Sequence, residues 1–216
     1  MLSVSRLWTG SCLLTMTTAV GEQCQEAKTE DAPIDLHGLQ DPWTYYLFVY
    51  KASGSWNDCI NKVATFSTVE HFWSVMLHSD PPSRIMNGTD VYMFRGDIEP
   101  RWEDPRNESG GRWILNLTQN SPIDTYWEEL LMLLVGCDWD TDGEAEQICG
   151  AVFQPRSRGH KMAVWISKGD DEETIIQIGR KIKERLHFPD KIYFHTVEDQ
   201  KALVRGKDIT TGRYVL

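Results

Sequence analysis

The sequence predicts an α+β domain in which an antiparallel β-sheet carries helices on one face. Segments rich in aromatic and β-branched residues, typical of strands, recur along the chain. Segments with helical spacing separate runs of these strands, without the strict strand–helix alternation of a parallel sheet. The 216 residues are enough for one domain with a sizeable core, with or without a tail.

The amino-terminal half of the chain contains predicted strands around one predicted helix. Residues 43–51 are aromatic and β-rich, which predicts a strand. Residues 67–78 have helical spacing, and a Ser or Thr followed by Glu70 indicates a capping box at the start of this helix. Further strands are predicted at 90–94 and 111–117.

The carboxyl-terminal half contains two predicted helices. Residues 122–135 form a long apolar helix that opens with a Ser-Pro pair and stops at Gly136. Residues 171–186 form an amphipathic helix with an apolar stripe of isoleucines and a leucine. The strands predicted in this half are 148–153, 161–166, 191–194 and 213–216.

Because residues 1–35 lack periodicity, they are predicted to form a disordered arm before a folded domain of residues 36–216.

The composition excludes several classes of function. A net charge of −10 argues against nonspecific binding of long nucleic acids, so any such role requires a small, local basic site. The five cysteines form no CxxC pair and the six histidines no HExxH pair, which predicts neither a disulfide framework nor a metal site. The motifs of common catalytic sites are absent, so no catalytic residues are predicted. The sequence has no run of about 20 apolar residues, and therefore no predicted membrane span.

Nine tryptophans are more than the packing of one domain requires. Trp56 lies in a polar, glycine-containing segment that is predicted to be a loop, and Trp102 lies in a second loop bounded by prolines. Glu103 follows Trp102 directly, and neither indole has a predicted core to fill. The tryptophans predicted to be core residues, because they fall in strands or in an apolar helix, are Trp43, Trp113 and Trp127.

These segments together predict a ligand with three parts. Indoles in loops bind flat and preferably cationic π systems, and the carboxylate of Glu103 accepts from paired donors on one edge of such a system. A basic loop that contains Arg156, Arg158 and Lys161 is suited to phosphates. A 7-methylguanosine 5′-triphosphate has a cationic purine, a paired N1–H and N2–H edge, and a polyphosphate.

The sequence resembles the eukaryotic translation initiation factor 4E family. The segments that carry the resemblance occur in family order and include Gly-Asp-Ile-Glu-Pro-Arg-Trp-Glu-Asp at 96–104 and Lys-Met-Ala-Val-Trp at 161–165. The resemblance implies a curved antiparallel sheet with three helices on its convex face and a messenger-RNA cap on its concave face. The other segments are 37–40, 66–73, 110–113, 126–131 and 149–152.

The resemblance implies a role for each residue of the cap site. Trp56 and Trp102 would stack on the two faces of the guanine, and Glu103 would accept from N1–H and N2–H. Trp165 would touch the N7 methyl group. The basic residues that would meet the phosphates, or in the case of Arg158 the chain beyond the cap, are Arg112, Arg156, Arg158 and Lys161.

The resemblance also implies a partner site on the convex face. Family members bind there a helix with a Tyr-x-x-x-x-Leu-apolar motif, carried by the initiation scaffold protein 4G or by 4E-binding proteins. Glu128 stands where the family has an apolar residue, Met132 replaces a leucine and Gly38 replaces a proline. Asp208 lies at or beside the position of a phosphorylatable serine. The residues predicted to form the partner site are His37, Val69, Trp73, Glu128, Glu129 and Met132.

The expected function is recruitment of capped messenger RNA to the translation initiation machinery. The protein is expected to act as a cytoplasmic monomer without a cofactor, and a nuclear fraction is left open. The alternative is a cap-binding repressor or variant with altered partner choice, which the extra carboxylate of Glu128 suggests. A decapping hydrolase is disfavoured because it needs an acidic metal-binding helix of the RExxEE type, which the sequence lacks.

Overall fold

The computed structural model describes residues 35–52, 54–204 and 212–216. Except for Asp35, the predicted arm lies outside the described residues, and so does Asp208. The described strands form one curved eight-stranded sheet in which all pairs are antiparallel, in the order β2-β1-β3-β5-β6-β4-β7-β8. The strands are β1 (Gly38–Val49), β2 (Ile60–Thr68), β3 (Thr89–Arg95), β4 (Gly111–Leu117), β5 (Ile148–Gln154), β6 (His160–Ile166), β7 (Ile192–Thr196) and β8 (Tyr214–Val215).

The predicted α+β class and its three main helices are confirmed. These helices are α2 (Val69–His78), α3 (Ile123–Val135) and α5 (Glu172–Leu186). The described residues also contain three short helices and one 3₁₀ turn that were not predicted, because segments of three to eight residues are too short to show helical periodicity. The additional elements are α1 (Trp56–Cys59), α4 (Asp142–Gln147), α6 (Val197–Val204) and the 3₁₀ turn Pro82–Arg84.

Side-chain alternation divides the hydrophobic core into two clusters, one on each face of the sheet. The larger cluster lies between the sheet and the main helices, and it contains the three predicted core tryptophans, Trp43, Trp113 and Trp127. The smaller cluster consists of side chains that point to the other face, including Tyr92, Phe94 and Trp165. The second face therefore has a buried aromatic layer but none of the three main helices over it.

The start of α2 differs from the predicted capping box. Thr68 is the N-cap, and its hydroxyl accepts from the backbone N–H of His71 at 3.3 Å. The carboxylate of Glu70 instead accepts from the backbone N–H of His37 at 3.1 Å and contacts its Nδ1 at 2.6 Å. The capping-box prediction is wrong because Thr68 is the N-cap, which places His71 and not Glu70 at the third helical position, and the Glu70 carboxylate binds His37 instead.

Strand β2 was not predicted at all. It pairs only with β1 and forms one edge of the sheet, and Phe66 is its single buried residue. An edge strand can be largely polar, so its sequence lacks the clear apolar alternation that marks a half-buried strand. In the part of the chain that the structure describes, no helix is both long enough and apolar enough to cross a membrane.

Candidate ligand-binding site

A pocket of about 500 Å³ opens on the face of the sheet that the main helices leave uncovered. Strands β3 to β6 supply its floor, and the segments around Trp56 and Trp102 supply its walls. The structure therefore brings five of the eight predicted ligand residues into one cavity. The lining residues are Trp56, Asn57, Tyr92, Pro100, Arg101, Trp102, Glu103, Arg112, Gln154 and Trp165.

Trp56 begins the short helix α1, so the predicted loop is wrong at this point. The Asp58 carboxylate accepts from the backbone N–H of Ser55 and from its hydroxyl, each at 2.7 Å, and Lys51 donates to the Asp58 carbonyl at 2.6 Å. The half-buried indole of Trp56 lies 6.3 Å from the ring of Phe48. These contacts hold one wall of the pocket in place before any ligand binds.

The opposite segment, which carries Trp102 and Glu103, is a turn built around two polar side chains. The carboxylate of Asp104 accepts from the backbone N–H groups of Glu99 at 2.8 Å and Arg106 at 2.9 Å. The fully buried Asn107 donates its amide to the carbonyls of Glu99 and Arg101, both at 2.8 Å. From the sequence, Asp104 is expected to be a solvated acid, which the structure contradicts, and the role of Asn107 was not predicted, although an Asp and an Asn in a proline-containing turn were an available signal.

Glu103 is exposed at the mouth of this pocket. Within the described residues its carboxylate makes neither a hydrogen bond nor an ion pair, whereas the neighbouring Asp104 is fully engaged by the turn. A solvated carboxylate next to a half-buried indole can accept hydrogen bonds without first breaking an internal contact.

The floor pairs an aromatic ring with a partly buried cation. Trp165 is 4% exposed, and the guanidinium of Arg112, its register partner across β4 and β6, lies 5.5 Å from the centre of the indole. Burial lowers the pKa of Arg112 to about 10, while Tyr92 and Asp90 act in the opposite direction. Arg112 therefore remains cationic at neutral pH, and it lines the floor of the pocket.

Arg156 is held by an ion pair beside the pocket. Its guanidinium donates to the two carboxylate oxygens of Asp90 at 2.6 and 3.0 Å, and this hydrogen bonding raises the pKa of Arg156. Asp90 is buried and also accepts from Gln154 at 2.6 Å. Gln154 lines the pocket, so this network connects the pocket wall to the basic loop.

Three basic residues that were predicted to bind the phosphates or the chain beyond them do not line the pocket. They are Arg156, Arg158 and Lys161. Arg158 and Lys161 are exposed, and neither makes an ion pair within the described residues. Lys161 is the register partner of Gln154 across β5 and β6, which places both side chains on the same face of the sheet. These three basic residues form a cationic rim beside the pocket. The rim is suited to the anionic part of a ligand whose flat ring occupies the pocket.

The remaining predicted residues lie on the helix-covered face. His37 is exposed and tied to Glu70, and Trp73 is half-buried with its ring edge-on to Phe72 at 5.1 Å. Val69 is exposed in the first turn of α2. Trp73 packs against the larger core cluster, so it lies on the opposite side of the sheet from the pocket.

The predicted partner residues of α3 differ in their surroundings. Glu128 is exposed and Met132 is half-buried. Glu129 forms an ion pair with Arg185 of α5 at 3.0 Å, which was not predicted. Among the described residues no group of three His, Cys, Asp or Glu side chains is placed to hold a metal ion.

Comparison with known proteins gives consistent matches. The family model described as eukaryotic initiation factor 4E matches residues 38–211. The chain is 33% identical over 198 residues to eukaryotic translation initiation factor 4E of Xenopus laevis, covering 90% of this chain and 92% of the relative. It is 34% identical over 183 residues to the factor of Homo sapiens, covering 83% of each.

Solved structures match over most of the described chain. A schistosome initiation factor 4E, crystallised with m7GpppA and a 4E-binding protein, is 57% identical with a TM-score of 0.81, covering 84% of this chain and 99% of that chain. The Ascaris suum factor 4E-3, in complex with an m2,2,7G cap, is 32% identical with a TM-score of 0.77, covering 84% and 99%.

Proposed function

Because the chain belongs to the eukaryotic initiation factor 4E family, we propose that it binds the 7-methylguanosine cap of messenger RNA and recruits the message for translation initiation. The observation that carries this proposal is the pocket, which gathers two half-buried indoles, a buried third indole and a carboxylate that makes no ion pair with any described residue. The schistosome relative crystallised with m7GpppA supports the same ligand class.

The pocket residues take the following roles in the proposal. Trp56 and Trp102 stack on the two faces of the methylated guanine, and Glu103 accepts from its N1–H and N2–H. Trp165 contacts the N7 methyl group from the floor. Two indoles around one delocalised cation combine apolar burial with cation–π attraction, so the proposed site should prefer a charged purine to a neutral one.

The phosphates of the cap leave the pocket over the cationic residues. Arg112 meets them from the floor, and Arg156 and Lys161 meet them at the rim. Arg158 contacts the chain beyond the cap. Asp90 is proposed to position Arg156, because a buried carboxylate with two donor contacts fixes the plane of the guanidinium.

Replacement of Arg156 by alanine is expected to weaken binding of 7-methyl-GTP about tenfold, since one or two charge-assisted hydrogen bonds are lost. Binding of the uncharged nucleoside 7-methylguanosine should not change. Fluorescence titration of both ligands measures the effect. Arg158→Ala is the control, which should lower the affinity only for longer capped RNA. Equal losses for nucleoside and triphosphate would show that Arg156 shapes the pocket and does not bind phosphate.

The helix-covered face is proposed to bind the partner helix of the initiation scaffold protein or of 4E-binding proteins. The schistosome structure contains such a binding protein. Val69 and Trp73 supply the contacts on α2, His37 supplies one from the segment just before β1, and Glu128, Glu129 and Met132 supply those on α3. The function is binding without covalent chemistry, by a monomer that acts in the cytoplasm where messages are translated.

The two faces allow a reciprocal test of this function. Trp56→Ala should abolish retention on immobilised 7-methyl-GTP while a Tyr-x-x-x-x-Leu-apolar peptide still binds. Trp73→Ala should have the opposite result, because Trp73 lies across the sheet from the pocket. Retention of both activities by Trp56→Ala would exclude the proposed cap site, and loss of both by either variant would indicate misfolding.

The second candidate function is a repressor or variant with altered partner choice, and the exposed carboxylate of Glu128 favours it. A misplaced charge at the edge of an apolar interface costs about 1–3 kcal/mol. Glu128→Leu is therefore expected to tighten binding of the initiation-scaffold peptide about tenfold, with cap affinity unchanged.

Calorimetry with one scaffold peptide measures the effect of Glu128→Leu. Glu173→Leu, which replaces an exposed acidic residue at the start of α5, is the matched control and should have no effect. Weaker peptide binding by Glu128→Leu would show that the carboxylate contacts the partner. The protein would then be specialised for a more basic partner than the general scaffold.

A further inference from the structure

The row of side chains on the pocket floor continues beyond the pocket onto β7. Arg112 on β4 is the register partner of Trp165 on β6 and, on its other side, of His195 on β7. Register partners project from the same face of a sheet, so His195 lies beside Arg112 on the face that the main helices leave uncovered. Trp165 and Arg112 line the pocket, whereas the half-buried His195 does not and was not predicted to bind the ligand.

The surface next to His195 has basic side chains around an apolar centre. Lys161 lies two residues before Ala163 on β6, and Ala163 belongs to the smaller core cluster, so both project from the uncovered face. Ala163 pairs with the half-buried Ile114, which lies two residues after Arg112 on β4. An anion that crosses this patch from the pocket would therefore meet Arg112, His195 and Lys161 at its borders.

The charges that face His195 come from three elements, and most of them are positive. Burial lowers the pKa of His195, and Arg112 on β4 and Lys161 on β6 lower it further, while Asp199 on α6 acts in the opposite direction. An ordinary histidine already has a pKa of about 6.5. His195 is therefore mainly neutral at pH 7 in the free protein.

The carboxylate of Asp199 is engaged elsewhere. It accepts from the backbone N–H of Thr196 at 3.0 Å and lies 3.8 Å from Nε of Arg213, just before β8. Nδ1 of the His195 ring is buried and has no hydrogen-bond partner among the described residues. Within that part of the chain, His195 thus faces two cations without an anionic group of its own, and a bound anion would supply the missing charge.

We propose that His195 is a further contact for the phosphates of the cap, and that it takes up a proton when they bind. The inference rests on the proposed function, because the cap supplies the phosphates that leave the pocket past Arg112. A phosphate oxygen near Arg112 and His195 would accept from the imidazolium and offset the repulsion that keeps the free ring neutral. The affinity for the cap would then depend on pH through a residue outside the guanine pocket.

The direction of the pH dependence follows from the two protonation states. Bound phosphates raise the pKa of His195 above its value in the free protein. The added affinity is fully present below the pKa of the free protein, and it is lost as the pH rises through the higher pKa of the complex. Because the pKa of the free protein lies below the ordinary 6.5, binding of the cap should be tighter in mildly acidic than in mildly basic solution.

The test compares the wild type with His195→Gln in fluorescence titrations with m7GpppA at about pH 6 and about pH 8. Glutamine can donate a hydrogen bond but never carries a charge. The wild type should bind about tenfold more tightly than His195→Gln at the lower pH, as expected for one charge-assisted hydrogen bond, and about equally at the higher pH. The ratio of the two affinities removes the titration of the guanine, which is the same for both proteins.

Three controls separate charge from packing. The nucleoside 7-methylguanosine has no phosphates, so it should bind the wild type and His195→Gln equally at both pH values. His195→Lys carries a charge at both pH values, so it should keep tight binding of m7GpppA at about pH 8. His71→Gln replaces an exposed histidine of α2 on the helix-covered face and should behave like the wild type throughout.

The outcomes separate the inference from the function on which it rests. If the wild type fails to bind m7GpppA at either pH, the proposed function itself is excluded. If the wild type binds but its advantage over His195→Gln is the same at both pH values, only the protonated contact is excluded. Equal losses of m7GpppA and 7-methylguanosine in His195→Gln, without recovery in His195→Lys, would show that His195 supports the pocket floor and would overturn the phosphate contact.

Discussion

Replacement of Glu103 by alanine is expected to lower affinity for 7-methyl-GTP by a factor of roughly one hundred or more. The carboxylate would accept two hydrogen bonds from the charged guanine, and each such bond contributes about 1.5–3 kcal/mol. Glu103 is exposed and makes no hydrogen bond or ion pair within the described residues, so its loss should not change the thermal midpoint of the free protein.

Two neighbouring acidic residues provide control variants for Glu103→Ala. Glu108→Ala removes an exposed acid from the same connection and should leave both affinity and stability unchanged. Asp104→Ala should lower the thermal midpoint, because Asp104 accepts two backbone hydrogen bonds of the turn. Unchanged affinity in Glu103→Ala would remove Glu103 from the site, and a lowered midpoint would make it a structural residue.

Removal of the N7 methyl group from the ligand is expected to cause the second large loss of affinity. GTP should bind about tenfold to a thousandfold more weakly than 7-methyl-GTP, because an indole on each side of a cation contributes roughly 0.5–2 kcal/mol. Quenching of tryptophan fluorescence measures both affinities, since Trp56 and Trp102 line the pocket. Equal affinities would exclude the cap as the ligand.

A variant separates cation–π attraction from simple burial in this experiment. Trp56→Leu keeps an apolar wall but removes the ring quadrupole, so the preference for 7-methyl-GTP over GTP should shrink along with the affinity. If the preference keeps its full size in Trp56→Leu, Trp56 contributes only apolar contact. A parallel titration with a trimethylated analogue tests the cap type seen in the Ascaris suum complex.

The sequence predicted long elements well and short or peripheral ones poorly. Helices α3 and α5 begin and end within a residue or two of the predicted bounds, because their apolar periodicity and end signals agree. Strand β2 and helix α1 escaped prediction, since one is an edge strand with a single buried residue and the other has four residues. The local signal at Glu70 was misread because His37, distant in sequence, binds its carboxylate.

The chemistry of the proposed ligand was predicted from residue types alone. Three local features each indicate one part of a ligand, even when their positions in space are unknown. They are a tryptophan in a polar segment, a Trp-Glu pair between prolines and a basic loop in an acidic chain. The contacts that hold these site residues in place could not be predicted from the sequence. Asp90 holds Arg156 and Asn107 holds the Trp102 turn through hydrogen bonds whose partners are chosen by the fold.

The fold class and the residue types of the proposed site are thus predictable from the sequence. Alternation along a strand is a local property, so neighbours such as Val164 and Trp165 lie on opposite faces of the sheet, but which of the two faces the helices cover depends on tertiary packing. Which side chains meet depends on how distant segments pack. The order β2-β1-β3-β5-β6-β4-β7-β8 makes β4 and β6 neighbours and so places Arg112 over Trp165, because strand neighbours are set by packing between distant segments.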